Sequence, residues 1–291
     1  MALKLDDYYL PASLQEATEL LQRYGAGAMV VAGGTFVHGL EVRGLLTETV
    51  ALVDISRLEL RGISANGKDS VSIKALTTLA ELAGAPLVGK NPALAAINDA
   101  LHYPPRQILN AATVGGCVAA AAPLYDLPAA FLALDGQVQT SLAGRPRSIP
   151  LDEFFVGLFE SVLQRGEIIT AIDIPAPAAR TASAFLKLET NANDLSLLNV
   201  AVRLTLDKAG NCSDCRIVLG GGVGETYVRA TGAEAALRGQ AAGEAGFAAA
   251  AAAVVDDFEA VEDHRASAAY RRHIAQVYVR RTLATALARL G

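Results

Sequence analysis

Residues 31–40 read VAGGTFVHGL: an apolar run, two adjacent glycines, a threonine and the start of a helical pattern. A glycine pair at the end of a strand lets backbone N–H groups reach a ligand with no β-carbon in the way. A helix starting there adds unpaired amides and the positive end of its dipole. Phosphate is the natural guest, yet two phosphate motifs fail on the residues. The G-x-G-x-x-G fingerprint has Thr35 where its second glycine belongs. Gly34 and Gly39 have P-loop spacing, but Leu40 and Glu41 replace the lysine and hydroxyl that would hold phosphates and magnesium.

Upstream, SLQEATELLQRY at 13–24 opens with Ser13 and Glu16 at capping-box spacing and puts Leu14, Ala17, Leu20, Leu21 and Tyr24 on one helical face. AMVV at 28–31 predicts the strand that enters the glycines, a brief helix near 36–46 follows, and TVALVDI at 49–55 predicts a second strand. From about 57 the pattern is mixed. LRGISANGKDSVSIKA predicts a hairpin turning at Asn66–Gly67, followed by one helix from Thr77 or Thr78 and another around 92–101.

The segment NAATVGGCVAAAAPLYDLPAAFLALDG at 110–136 supplies a second Thr-x-Gly-Gly, read as a glycine turn before an apolar run, Pro123 and a helix from Asp126 that stops at Gly136. Two glycine turns in the first half of the chain predict that one long ligand bridges them, as a dinucleotide such as FAD requires. Pro175 and Pro177 mark a boundary. Beyond it lie FLKLE, a strand pair around 199–219, the loop GGGVGETYVRA and several helices. The last helix, from about Ala266, carries Arg271, Arg272, Arg280 and Arg281 on an expected solvated face.

Composition narrows the partners. At 291 residues the chain has room for two or three packed units, and its net charge of −5 offers no general attraction for nucleic acid or anionic membranes. No stretch has eighteen apolar residues in a row, and Asp6 and Asp7 interrupt the amino terminus where a secretory signal needs an apolar run; a cytoplasmic protein without membrane insertion is expected. The three cysteines, Cys117, Cys212 and Cys215, are too few and odd for a disulfide framework. Cys212 and Cys215 form a C-x-x-C in a strand-turn-strand context with no second ligand pair, so no metal site is predicted.

Eight blocks, in order YYLPASLQEATELLQRYG, VAGGTFV, VDISRLELRGI, IKALTTLAEL, the 110–136 segment, FLKLE, VLGGGVGETYVRA and RASAAYRRHIAQVYVRRTL, give the chain a resemblance along nearly its whole length. It resembles the FAD-binding medium subunit of the molybdenum hydroxylases, the group that includes xanthine dehydrogenase and carbon monoxide dehydrogenase. The resemblance implies an α+β fold: a vanillyl-alcohol-oxidase (PCMH) type FAD-binding fold of two α/β subdomains, residues 1–56 and 57–176, and a C-terminal α+β domain, 177–291.

It also implies an oxidoreductase subunit that binds FAD non-covalently and passes electrons from a partner's iron–sulfur clusters to an external acceptor. Molybdopterin would lie in a large partner subunit and 2Fe–2S clusters in a small one, assembled as a dimer of heterotrimers. By matching motif, Ala32, Gly33, Gly34, Thr35, Phe36 and Val37 would line the pyrophosphate. Thr113, Gly115, Gly116 and Cys117 would lie beside other flavin contacts, with Asp126 at the ribityl or ring edge and Lys187 near its outer side. No residue is expected to be catalytic. From the residues alone, Asp126 reads equally as a helix N-cap and Lys187 as the solvent face of a strand. Members of the family often have Asn where this chain has Cys117 and Arg where it has Leu109. The alternative is a self-sufficient flavin-dependent oxidoreductase acting on its own small-molecule substrate.

Overall fold

The computed structural model describes residues 5–67, 70–191 and 194–291. Its first unit alternates strand and helix: β1 (Asp7–Tyr9), α1 (Leu14–Tyr24), β2 (Ala28–Val31), α2 (Thr35–Val42) and β3 (Ala51–Asp54). β1 and β2 both pair with β3 in parallel, giving the order β1-β3-β2. The Ser13 hydroxyl accepts the Glu16 N–H, as its spacing predicts, while the Glu16 carboxylate returns to the Ala12 N–H, one residue earlier than a capping box requires. Ala17, Leu20 and Leu21 of α1 bury against Val53 and Ile55, and the helix ends at Gly25 with φ +57.

The second unit is a five-stranded antiparallel sheet with helices over it. Its strands are β4 (Ile63–Ala65), β5 (Val71–Lys74), β6 (Gln137–Leu142), β7 (Arg145–Pro150) and, after the small hairpin of β8 (Phe155–Gly157) and β9 (Glu160–Ser161), β10 (Ile168–Ile174). The order is β4-β5-β10-β6-β7. β4 and β5 form the expected hairpin, with Lys68 and Asp69 of its turn outside the described residues. Between β5 and β6 come α3 (Leu79–Ala83), α4 (Pro86–Gly89), α5 (Ala95–Ala100), α6 (Arg106–Ala111), α7 (Val114–Ala119) and α8 (Leu127–Ala133). The helix expected over 92–101 is split, because Pro92–Leu94 winds as a 3-10 turn ahead of α5.

The third unit is a four-stranded antiparallel meander of β11 (Thr181–Leu188), β12 (Leu198–Leu206), β13 (Cys212–Gly221) and β14 (Val228–Arg229), with α9 (Thr231–Leu237), α10 (Glu244–Ala253) and α11 (Ala268–Ala288) on one face. β12 alternates in sequence, with Leu198, Val200, Val202, Leu204 and Leu206 in the third core, yet Asn199, Ala201 and Thr205 on its other face are buried as well. Val200, Val202 and Leu204 join Ala275, Val279 and Leu283 of α11 in one cluster. On the other face, Ala96 and Ala100 of α5 and Ala129, Ala130 and Ala133 of α8 pack against Phe185, Ala201 and Val218. Alanine lets helix and sheet close tightly there.

Arg271 corrects one expectation. It is only 1% exposed, donating to Leu197 O and Asp263, while Arg272, Arg280 and Arg281 do face solvent. Cys212 and Cys215 are buried in the third core, and no metal-binding cluster occurs among the described residues. Among those residues no helix is long and apolar enough to cross a membrane.

Candidate functional site

A cleft of about 260 Å³ opens at the carboxyl ends of the parallel strands, where the first and second units meet. β2 delivers Ala32, Gly33 and Gly34 to its edge, and α2 follows with Thr35, Phe36 and Val37. α7 supplies Gly115, Gly116 and Cys117 with Thr113 before it, and the opposing walls are apolar: Ile55, Leu76, Ile168 and Ile169.

The two glycines of the first turn do different things. A β-carbon on Gly33 would lie 1.9 Å from the Ala111 carbonyl oxygen, so this glycine exists for contact between the two units. Gly34 has φ +72 and open space where a side chain would stand. It occupies the N-cap of α2 with no side chain to cap it, and the helix's own ladder begins with the His38 N–H on Gly34 O. The amides of Thr35, Phe36 and Val37 precede that ladder at the edge of the cleft, where a dipole's positive end favours an anionic guest.

The second glycine pair departs from the expected turn. Gly115 and Gly116 lie inside the first turn of α7, whose Thr113 hydroxyl accepts the Gly116 N–H at 3.1 Å. Gly115 donates to Ala75 O at 2.8 Å, and a β-carbon there would meet Ala75 at 2.6 Å. Both amides are therefore spent internally. The glycines are required by close packing, Gly115 against Ala75 and Gly116 against the Thr113 hydroxyl, which leaves free amide donors at the cleft to the first turn.

Of the twelve residues singled out in the sequence, ten line the cleft; Asp126 and Lys187 do not. They are paired with each other at 3.0 Å, each 8% exposed. The Asp126 carboxylate also accepts from Ser196 Oγ at 2.6 Å and Asn199 Nδ2 at 3.3 Å, and Lys187 Nζ lies 3.4 Å from Glu189 and over the Tyr103 ring. Asp126 stands at the N-cap position of α8 but makes no side-chain cap, which removes the capping alternative; the burial of Lys187 removes the solvent-face one. Desolvation raises the Asp126 pKa against the lowering influence of Lys187 and the Ser196 and Asn199 hydrogen bonds.

Asp126 touches the cleft through its neighbours. Tyr125 lines the wall, edge-on to Phe36 at 6.3 Å, and Phe159 packs on Phe36 from the β8–β9 hairpin at 5.8 Å. Burial, with the nearby Cys117, pushes the Tyr125 hydroxyl up to about 12. Burial and then the Asp126 charge push the Cys117 thiol up to about 12, making it a neutral wall group at physiological pH. Sequence reasoning missed Tyr125 and Glu167. Glu167 lines the cleft, its carboxylate held by Thr140, the Arg147 guanidinium and the Gln164 N–H. Nothing near RGEIIT marks it, because its side-chain partners, Thr140 and Arg147, come from β6 and β7.

Comparison with known proteins agrees with this geometry. The family model described as the FAD binding domain in molybdopterin dehydrogenase matches residues 3–177, and the CO dehydrogenase flavoprotein C-terminal domain matches 183–286. The chain is 33% identical over 285 residues to the 6-hydroxypseudooxynicotine dehydrogenase complex subunit alpha of Paenarthrobacter nicotinovorans, covering 97% of this chain and 95% of the relative. It is 33% identical over 287 residues to the carbon monoxide dehydrogenase medium chain of Hydrogenophaga pseudoflava, covering 97% of each. Among solved structures, carbon monoxide dehydrogenase from Hydrogenophaga pseudoflava, lacking the Mo-pyranopterin moiety, superposes with a TM-score of 0.92 at 33% identity over 99% of both chains. The chain therefore belongs to the FAD-binding flavoprotein subunits of the molybdopterin dehydrogenases, a family of oxidoreductases.

Proposed function

We propose that this chain is the FAD-binding electron-transfer subunit of a three-component molybdenum-dependent hydroxylase. It relays electrons from the 2Fe–2S clusters of a small subunit, which receive them from a molybdopterin-binding large subunit, to an external acceptor. The observation that carries this reading is the pairing of free α2 amides and an open Gly34 with an apolar cleft at the ends of parallel strands. That combination suits a ligand with an anionic middle and a flat apolar end. Bound FAD supplies the redox chemistry itself.

The chain's own groups bind and orient. The backbone of Ala32–Val37 holds the pyrophosphate, with Thr35, Phe36 and Val37 donating amides toward it. Thr113, Gly115, Gly116 and Cys117 form the close backbone wall, and Ile55, Leu76, Ile168 and Ile169 exclude water from the ring. Asp126 and Lys187 fix the charge at the ring edge from behind that wall. The cofactor is held non-covalently. The complex is a cytoplasmic dimer of heterotrimers in this reading, and residues 1–56, 57–176 and 177–291 are its three units.

The test is a visible absorption spectrum of the purified chain followed by acid release of the chromophore. Released FAD is the expected result; a cooperatively folded chain that stays colourless after incubation with FAD overturns the proposal. Without partner subunits the chain is expected to turn over no organic substrate, since the one carboxylate lining the cleft among the described residues, Glu167, is committed to Arg147.

A further inference from the structure

The connector between α7 and α8, residues 120–126, is neither helix nor strand, yet most of it is buried. A buried irregular segment must satisfy its backbone groups somewhere. Its carbonyls are taken one after another. Ala121 O accepts from Phe159 N at 3.0 Å, and Ala122 O from the Tyr227 hydroxyl at 2.7 Å. Pro123 O accepts from Gly221 N at 2.8 Å and Leu124 O from Ser196 N at 3.4 Å. Tyr125 O receives the Tyr227 hydroxyl at 3.0 Å and Asn199 Nδ2 at 3.3 Å. Four consecutive carbonyls, Ala122 to Tyr125, are thus gripped by residues of the third unit.

This explains Gly220 and Gly221. A β-carbon on Gly220 would stand 2.8 Å from Pro123 O and 2.5 Å from Asn199 Oδ1, and Gly221 needs its φ of +88 to turn its N–H onto Pro123 O. The Tyr227 ring is fixed against Phe155 at 5.1 Å, and its burial keeps the hydroxyl protonated as a donor. The connector pays for this grip at Ala121, a non-glycine residue at φ +43. At one end it carries Ala120 of the cleft, just after Cys117; at the other it carries Tyr125, which lines it.

We propose that Tyr227, seconded by Asn199 and Gly221, is a positioning residue for the cofactor cleft, through which the C-terminal domain sets the wall formed by Cys117–Tyr125. This rests on the FAD reading above. The third unit then contributes to cofactor retention without touching the cofactor: removing its grip frees Tyr125 and the Asp126 charge behind it.

The experiment compares full-length wild type with Tyr227→Phe, which keeps the ring packing and deletes only the hydroxyl. Hydrogen exchange is followed on the flavin-free chain, and FAD release and the visible band on the loaded chain. Exchange at 120–126 is expected to rise about five- to ten-fold, the scale of one buried hydrogen bond. Exchange in β12 and β5 stays at the wild-type rate, FAD release quickens by a similar factor, and the visible band shifts. Connector exchange at the wild-type rate overturns the proposal, as does exchange that rises equally everywhere or FAD release that stays unchanged. A wild type that takes up no FAD strikes the functional reading instead, while the flavin-free exchange still judges the clamp.

Discussion

Gly33 lies so close to Ala111 that a β-carbon on it would be 1.9 Å from that residue's carbonyl oxygen, whereas its neighbour Gly34 faces open space. Gly33→Ala forces the first unit off the backbone of the second and is expected to cost about 1–3 kcal/mol or more in stability. Gly34→Ala carries only the strain of its left-handed backbone, about 1–2 kcal/mol, and places a methyl group on the cleft side. Chemical denaturation with FAD titration separates them: Gly33→Ala should unfold at lower denaturant, while Gly34→Ala should stay folded with weakened FAD binding. Equal stability losses and equal FAD affinities would refute the division of labour.

The Asp126–Lys187 pair is a buried charge pair whose single removal leaves a lone charge. Lys187→Met is expected to destabilise the fold by about 3–5 kcal/mol, while a double Asp126→Leu, Lys187→Met variant recovers much of that loss. A double-mutant cycle in urea measures it.

The raised pKa of Asp126 sets a sign for pH dependence. Its folded form binds a proton that the unfolded chain has released, in the window between the ordinary carboxylate value and the raised one. Its contribution to stability is therefore greatest at low pH and declines as pH rises through that window. Asp126→Asn removes the titration, so the stability of wild type relative to this variant should fall with rising pH across the window. A pH-independent difference would contradict it.

Cys117, held up at about 12, should resist alkylation despite being only partly buried. At pH 8 it holds on the order of a thousand-fold less thiolate than an ordinary thiol. Iodoacetamide labelling followed by mass spectrometry should leave it unmodified on the timescale that consumes free cysteine. Asp126→Asn, by removing the neighbouring charge, should speed the reaction modestly.

Arg271 spans Leu197 O and Asp263 from within the third core. Arg271→Met leaves both acceptors without that donor and is expected to cost about 3–5 kcal/mol, read as a lowered thermal midpoint. Arg272→Met, on the exposed side of the same helix, should change stability by no more than about 0.5 kcal/mol.

The local devices were legible in the sequence because each depends on a few neighbouring residues. The cap at Ser13, a helix starting at Thr77 or Thr78, the hairpin of β4 and β5, and the glycine entry to α2 all follow from spacing and backbone preference. The ordered blocks from YYLP to the last helix identified the family and its cofactor. Other features were decided by contacts between distant segments. Thr-x-Gly-Gly reads as a turn from composition, but Ala75 presses on Gly115 and allows a helix to start there. Asp126 reads equally as a cap and as a ligand contact, but Lys187, Ser196 and Asn199 claim its carboxylate from more than sixty positions away. Arg271 shares its sequence pattern with Arg272, yet one is buried and the other solvated. Spacing along the chain records local hydrogen bonds and helical faces; which charge is neutralised, and which glycine must touch backbone, is set only when the three units pack.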